Sequence, residues 1–287
     1  MIEKYVQRPN AQLYTQAWGQ PLRGTILLAM GATASSAWWP IALIDALAGA
    51  GYQVIVFDHR DTGRSTLFPP GTPPYDLPDL VEDVIAILDA YAVSSVHLVG
   101  MSLGGLVAQI VTLQHPGRVA TLTVFAGEPL NSAYDGEGMP PEIMEHFSGM
   151  ATLDWSRRED VTQFLLRIAE LSAAPDRPFD RHAALERIGR ELDHTSAIQS
   201  AFNHAMLEGK IDPGLHAADI TRPTLVIHGA GDPLISVAAA KKTHELIPNA
   251  RLTVLEKVGH EITPAEIPTL SQAILGFIRS APTVQRA

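Results

Sequence analysis

The twenty residues SSVHLVGMSLGGLVAQIVTL, positions 94–113, constrain this chain more than any other stretch. They pass from an apolar, β-branched segment through Gly100-Met101-Ser102-Leu103-Gly104 into a helical pattern. A G-x-S-x-G sequence in that setting forms a sharp strand-to-helix turn, with the serine hydroxyl standing clear of a sheet. The backbone at such a serine is strained, and side chains two residues before and after it would collide, so glycine is needed at both positions. The helix that follows aims its first N–H groups at the serine, which favours an oxyanion. These residue types in this order point to nucleophilic acyl transfer by Ser102.

The remainder of the chain supplies the sheet that such a turn requires. Short apolar runs at 25–29, 53–57, 95–99, 122–125, 224–228 and 251–255 alternate with helical patterns at 36–50, 78–91, 102–114, 237–247 and 264–278. Runs such as TILLA, VIVF and VHLV suit strands buried on both faces. Their alternation with helices predicts an α/β protein with a doubly wound, mostly parallel sheet. Residues up to about Trp18 are expected to add an antiparallel edge. Between 130 and 218 the strand-like runs stop, and helical stretches are expected at 140–150, 158–172, 178–190 and 196–207. We read 130–218 as a helical cap inserted into a core formed by 1–129 and 219–287, since insertions of this length usually carry function.

With 287 residues, 46% of them apolar, the chain can bury a large core. A net charge of −10 with no basic cluster argues against a nucleic-acid partner. There are no cysteines, which removes disulfides, thiolate catalysis and cysteine-bound zinc. The opening MIEKYVQRPN has no apolar core of the kind a signal peptide needs, so a cytoplasmic protein is expected. The apolar stretches 25–44 and 92–113 are interrupted by glycine, serine or proline and are not expected to span a membrane. Phosphate-binding glycine loops and the H-E-x-x-H pattern are missing, so no cofactor and no metal is expected. The expected partner is a small-molecule ester, with the assembly open between monomer and homodimer.

Taken with DHRDTGRST at 58–66, HGAGDPL at 228–234 and VGHE at 258–261, the serine turn resembles the α/β-hydrolase family over nearly the whole chain. Within it, the DHRDTGRST string and the Met-Gly loop after the first buried strand most resemble the small actinobacterial esterases typified by aclacinomycin (anthracycline) methylesterases. The resemblance implies a catalytic order of serine, acid, histidine. Of eleven histidines, His260 stands where a strand ends and a helix begins, with Gly259 allowing the ring to turn back over the sheet. Asp232 follows LVIHGAG, 28 residues earlier, and is the expected acid, with Glu128 after LTVFAG as runner-up. His228 precedes the acid and breaks the order. The oxyanion donors are expected to be the amides of Leu103 and Ala32, with Gly31 next; methionine stands at position 30, where many members of the family carry histidine.

A pocket between sheet and cap is expected to draw on Gly31, Trp38, Met101, Met144, Phe147, Phe164 and Phe202. That set suits a bulky hydrophobic or aromatic ester, and the resemblance implies a methyl ester. Asp58, Arg60 and Asp61 are read as loop ties through charge-assisted hydrogen bonds, against the alternative that Arg60 or Arg64 holds a substrate carboxylate. A perhydrolase or haloperoxidase, a lactone or C–C bond hydrolase on the same triad, and a non-catalytic binding protein are the competing readings.

Overall fold

The structure is a computed structural model that describes residues 1–136, 138–207 and 211–281. Strands β1 (Ile2–Arg8) and β2 (Ala11–Trp18) form an antiparallel hairpin, in register from Ile2 opposite Ala17 to Arg8 opposite Ala11. The turn places Asn10 at φ 62°, a conformation asparagine tolerates better than most residues. The hairpin is the antiparallel edge expected from the sequence. From β2 inward the sheet continues with β3 (Thr25–Ala29), β4 (Gln53–Phe57), β5 (Val96–Met101), β6 (Val119–Phe125), β7 (Thr224–Gly229) and β8 (Arg251–Leu255). The spatial order is β1-β2-β4-β3-β5-β6-β7-β8; β2 joins β4 antiparallel and every later pair is parallel.

Every residue of β3 and β7 is buried, as continuous apolar runs require when helices cover both faces. One apolar cluster lies against α2 (Leu77–Ala90) and α3 (Leu103–Gln114) and includes Leu80, Ile87, Val107 and Val111. The other lies against α1 (Ile41–Gly49) and α8 (Ile267–Ser280) and includes Leu43, Leu47, Leu270 and Ile274. The chain moves outward in one direction after β3 and in the other after β5. That reversal leaves a crevice beyond their carboxyl ends, the usual binding place in open α/β sheets.

Between β6 and β7 come α4 (Pro141–Ser148), α5 (Arg158–Ser172), α6 (Arg181–His194) and a 3₁₀ run at Ile198–Met206. These helices own a separate apolar cluster, with Val161, Leu165, Ile188 and Ala201 at its centre. Helix α7 (Val237–Leu246) then returns the chain to β8. Two helical expectations are corrected. The pattern at 36–50 is split at Pro40 into a 3₁₀ turn, Ser36–Trp38, and α1, because the residue before a proline is pushed out of the helical region. The stretch at 196–207 is 3₁₀ rather than α-helical. Among the described residues, no helix is long and apolar enough to cross a membrane.

Candidate active site

Ser102 joins β5 to α3 with φ 51° and ψ −118°, well away from ordinary helix or strand values. Its amide donates to the Phe125 carbonyl at 2.9 Å, and its carbonyl accepts from Gly105 at 2.8 Å, so sheet and helix both fix the turn. The flanking glycines have steric reasons. A Cβ on Gly100 would stand 2.1 Å from the Gly104 carbonyl oxygen, and one on Gly104 would stand 2.2 Å from that of Ala29. The loop after β3 passes beside the serine closely enough that a Cβ on Gly31 would be 3.1 Å from the Ser102 Cβ.

Asp232 lies in the turn after β7 with its side chain fully buried. Its Oδ1 accepts the amides of Leu234 and Ile235, both at 2.9 Å, which closes the turn around the carboxylate. Its Oδ2 is 2.7 Å from His260 Nδ1 and 3.3 Å from His228 Nε2. Burial alone would raise the Asp232 pKa. The hydrogen bonds from His228 and His260, the charge of His260 and the Ile235 amide outweigh it and hold the carboxyl well below the usual carboxylate range. A carboxylate can only accept, so His260 Nδ1 carries a proton, and in the neutral ring Nε2 keeps its lone pair. The His260 amide donates to the Ser172 carbonyl at 2.8 Å. Gly259 is required beside it, since a Cβ there would be 2.3 Å from that same oxygen.

Ser102 and His260 open onto one cavity of about 680 Å³, within the range of small-molecule pockets. Gly31, Ala32, Trp38 and Met101 line it from the core, and Met144, Phe147 and Phe202 from the inserted helices. Phe164 is not part of this wall. Its ring is stacked on His146 at 4.4 Å and packs against Trp155 and Phe202, so it supports the wall from behind. Leu103, the first residue of α3, packs on the sheet core, while its amide belongs to the unpaired first turn of the helix. Glu128 lines the cavity but is engaged by the Tyr134 hydroxyl at 2.6 Å.

The family described as alpha/beta hydrolase fold matches residues 24–264. This chain belongs to that family. It is 30% identical to the rhodomycin D methylesterase DauP of Streptomyces sp. strain C5, over 98% of this chain and 99% of that protein. The rhodomycin D methylesterase DnrP of Streptomyces peucetius matches with the same identity and coverage. Among solved structures, an esterase from Rhodococcus superposes with a TM-score of 0.80 at 22% identity, covering 98% of this chain and all of that one.

In this hydrolase the DHRDTGRST segment is a tie. Arg60 is buried against Asp83, with Nε at 2.7 Å and Nη2 at 2.8 Å from its carboxylate oxygens. Asp58 accepts from the Ser36 and Arg64 amides and from His194 Nε2, each at 2.8 Å. Asp61 accepts from the Phe68 amide, the Tyr75 hydroxyl and Asn203.

The charged cavity residues that escaped the sequence reading include Arg187 and Glu191, both on α6. Glu191 accepts from the Ser35 amide at 3.3 Å and from the Ser35 hydroxyl at 2.5 Å. Burial, its largest influence, pushes the Glu191 pKa up to about 7. A signal was present. Ala184, Arg187, Ile188 and Glu191 are the buried positions of α6, and their i, i+3, i+4, i+7 spacing is that of an inward stripe with two charges in it.

Proposed function

We propose that this hydrolase cleaves a carboxylic ester through an acyl-enzyme, with Ser102 as nucleophile, His260 as general base and Asp232 as the acid that orients the base. The single observation carrying this reading is the 2.7 Å contact from His260 Nδ1 to Asp232, which leaves Nε2 as the only basic atom of a ring that shares its cavity with Ser102. His260 Nε2 takes the Ser102 proton as Oγ attacks the ester carbonyl. The amides of Leu103 and Ala32 receive the oxyanion, helped by the N-terminal end of α3. His260 then protonates the departing alcohol. Water attacks the acyl-enzyme with His260 again as base, and the acid leaves as Ser102 is reprotonated.

The segment 130–218 acts as a cap in this proposal. The residues at 137 and 208–210 lie outside the described part of the structure, but α4, α5 and the Ile198–Met206 run all contribute to the cavity wall. The methionine- and phenylalanine-rich wall favours a bulky hydrophobic or aromatic acyl group. The two rhodomycin D methylesterases support a methyl ester as the leaving end.

A fluorophosphonate probe tests the nucleophile directly. It should label the wild type at Ser102 and fail to label Ser102→Ala, and that variant should lose about 10⁴-fold in kcat on any ester the wild type cleaves. Labelling elsewhere, or near wild-type turnover in Ser102→Ala, would remove Ser102 from the mechanism.

A further inference from the structure

We propose that Arg187 and Trp38 form a second recognition point in the cavity, for an oxygen acceptor on the substrate remote from the scissile ester, a carboxylate or a ketone. The inference rests on the ester-hydrolase reading and adds the chemical character of the substrate's far end.

The Arg187 side chain is only 7% exposed and lines the cavity. Its guanidinium carbon lies over the Trp38 ring, 4.7 Å from the ring centre. A guanidinium has five N–H donors. Among the described residues, its one hydrogen-bond acceptor is Glu261 Oε2, reached by Nη2 at 3.5 Å, the long limit for such a bond. Nε is buried with no partner. The indole Nε1 of Trp38 is also buried with no partner. Two buried, unpartnered donors therefore belong to side chains that meet at one corner of the chamber.

The corner does not supply the missing acceptors itself. Glu191 is committed to the amide and hydroxyl of Ser35. Glu261 already faces Arg187. The wall residues Phe147, Leu165, Ile198 and Phe202 have no polar side-chain atoms. A buried donor left unmade costs about 1–3 kcal/mol, and a charged one more. A ligand that brings an oxygen to this corner recovers that cost, and one that presents only hydrocarbon does not. The planar guanidinium, seated over the indole, suits a flat acceptor group. A plain structural strut between α6 and the loop after β8 would instead be expected to close the Arg187–Glu261 pair to ordinary bonding distance and to leave Trp38 out of it.

The test uses three matched ester series with the full-length protein: half-methyl esters of adipic to dodecanedioic acid, the corresponding dimethyl esters, and methyl alkanoates of equal length. At the best chain length the wild type should favour an oxygenated series over the alkanoates by about tenfold or more in kcat/KM, mostly through KM. Preference for the half-esters alone assigns a carboxylate; equal preference for the dimethyl esters assigns a neutral carbonyl. Arg187→Met should abolish the preference, and Trp38→Phe should reduce it less. Arg187→Lys keeps the charge without the planar fork and serves if the methionine variant does not fold; its preference should fall between wild type and parity. An unchanged preference in these variants, or an equal loss on all three series together with a lowered Tm, overturns the proposal. Absence of turnover on every series overturns the ester reading instead. The recognition point then stands or falls on whether suberate or dimethyl suberate raises the Tm of the wild type and not of Arg187→Met.

Discussion

The His204 imidazole accepts the Thr33 amide at Nδ1, 3.1 Å away, and donates from Nε2 to the Arg60 carbonyl at 2.8 Å. That arrangement needs a neutral ring, and burial pushes the His204 pKa down. Thr33 itself sits at φ 64°, a costly conformation for a β-branched residue, and a fixed partner keeps it there. The loop from 31 to 36 is also tied at Ser35 by Glu191 and at Ser36 by Asp58. Replacing His204 with phenylalanine keeps a similar flat ring but removes both polar contacts. The expected outcome is a fall of about tenfold or more in kcat with a smaller change in KM, since the Ala32 amide, the proposed oxyanion donor, loses its aim rather than the pocket its shape. Stability should drop by about 1–3 kcal/mol in urea unfolding. A rise in KM alone would show that His204 serves only the pocket wall.

Asp232→Asn should retain the fold and lose about 10³–10⁴-fold in kcat. The amide can present an N–H where the carboxylate presents only lone pairs, which turns His260 to the tautomer with its proton on Nε2. The carboxyl of Asp232 is depressed in the folded state, so its contribution to stability is present above its unfolded pKa and is lost as pH falls below it. The wild type should therefore lose more stability than Asp232→Asn as pH is lowered from about 5 to 3. Parallel pH–stability curves for the two proteins would contradict the assignment.

Stability near neutrality carries the opposite sign. Burial raises the Glu191 pKa from 4.5 to about 7, so the folded protein binds an extra proton between those values. Stability should decline as pH rises through that window, by roughly 2–3 kcal/mol for the shift of this one group. Its neighbour His194 acts in the same direction. Burial alone would lower its pKa, but the bond to Asp58 outweighs it and raises the value, so its contribution is also lost as pH rises. Glu191→Gln keeps an oxygen for Ser35 and removes the titrating group. Its unfolding free energy should vary less than that of the wild type between about pH 5 and 8; equal slopes would show that Glu191 does not titrate in this range.

Two glycine-to-alanine exchanges separate turn geometry from backbone freedom. At Gly104 the new methyl would meet the backbone oxygens of Ala29 at 2.2 Å and Met30 at 2.6 Å, and no side-chain rotation relieves it. Gly104→Ala should cost more than about 3 kcal/mol or fail to fold. Gly276 lies inside α8 with open space around its missing Cβ. Gly276→Ala should raise stability by about 0.5–1 kcal/mol, read as a higher Tm with unchanged turnover.

The sheet and the serine turn were legible because their determinants are local. The runs at 25–29, 53–57 and 251–255 match β3, β4 and β8 residue for residue, and Gly100 and Gly104 are dictated by contacts within a few residues of the serine or with the adjoining strand. Where tertiary placement decides, residue type misleads. Phe164 has the right character for a pocket wall, but its ring is taken by His146 and Trp155. Arg60 and Arg187 are equally basic in the sequence; one is locked onto Asp83 and the other faces the cavity with a single long contact. The stripe at 184, 187, 188 and 191 gives the inward face of α6, whereas what that face meets is set by the packing of a helix more than 80 residues beyond β5.

Helix α6 and the 3₁₀ run behind it are at once enclosure and brace: Arg187 and Phe202 face the chamber, while Glu191, His194 and His204 grip the loops after β3 and β4. Exchanging the whole inserted segment with that of a relative would therefore transplant the struts of the reaction centre along with the wall. Divergence in what the protein accepts is cheapest on the opposite flank, around Met139 and Met144, where exposed methionines are free of such double duty.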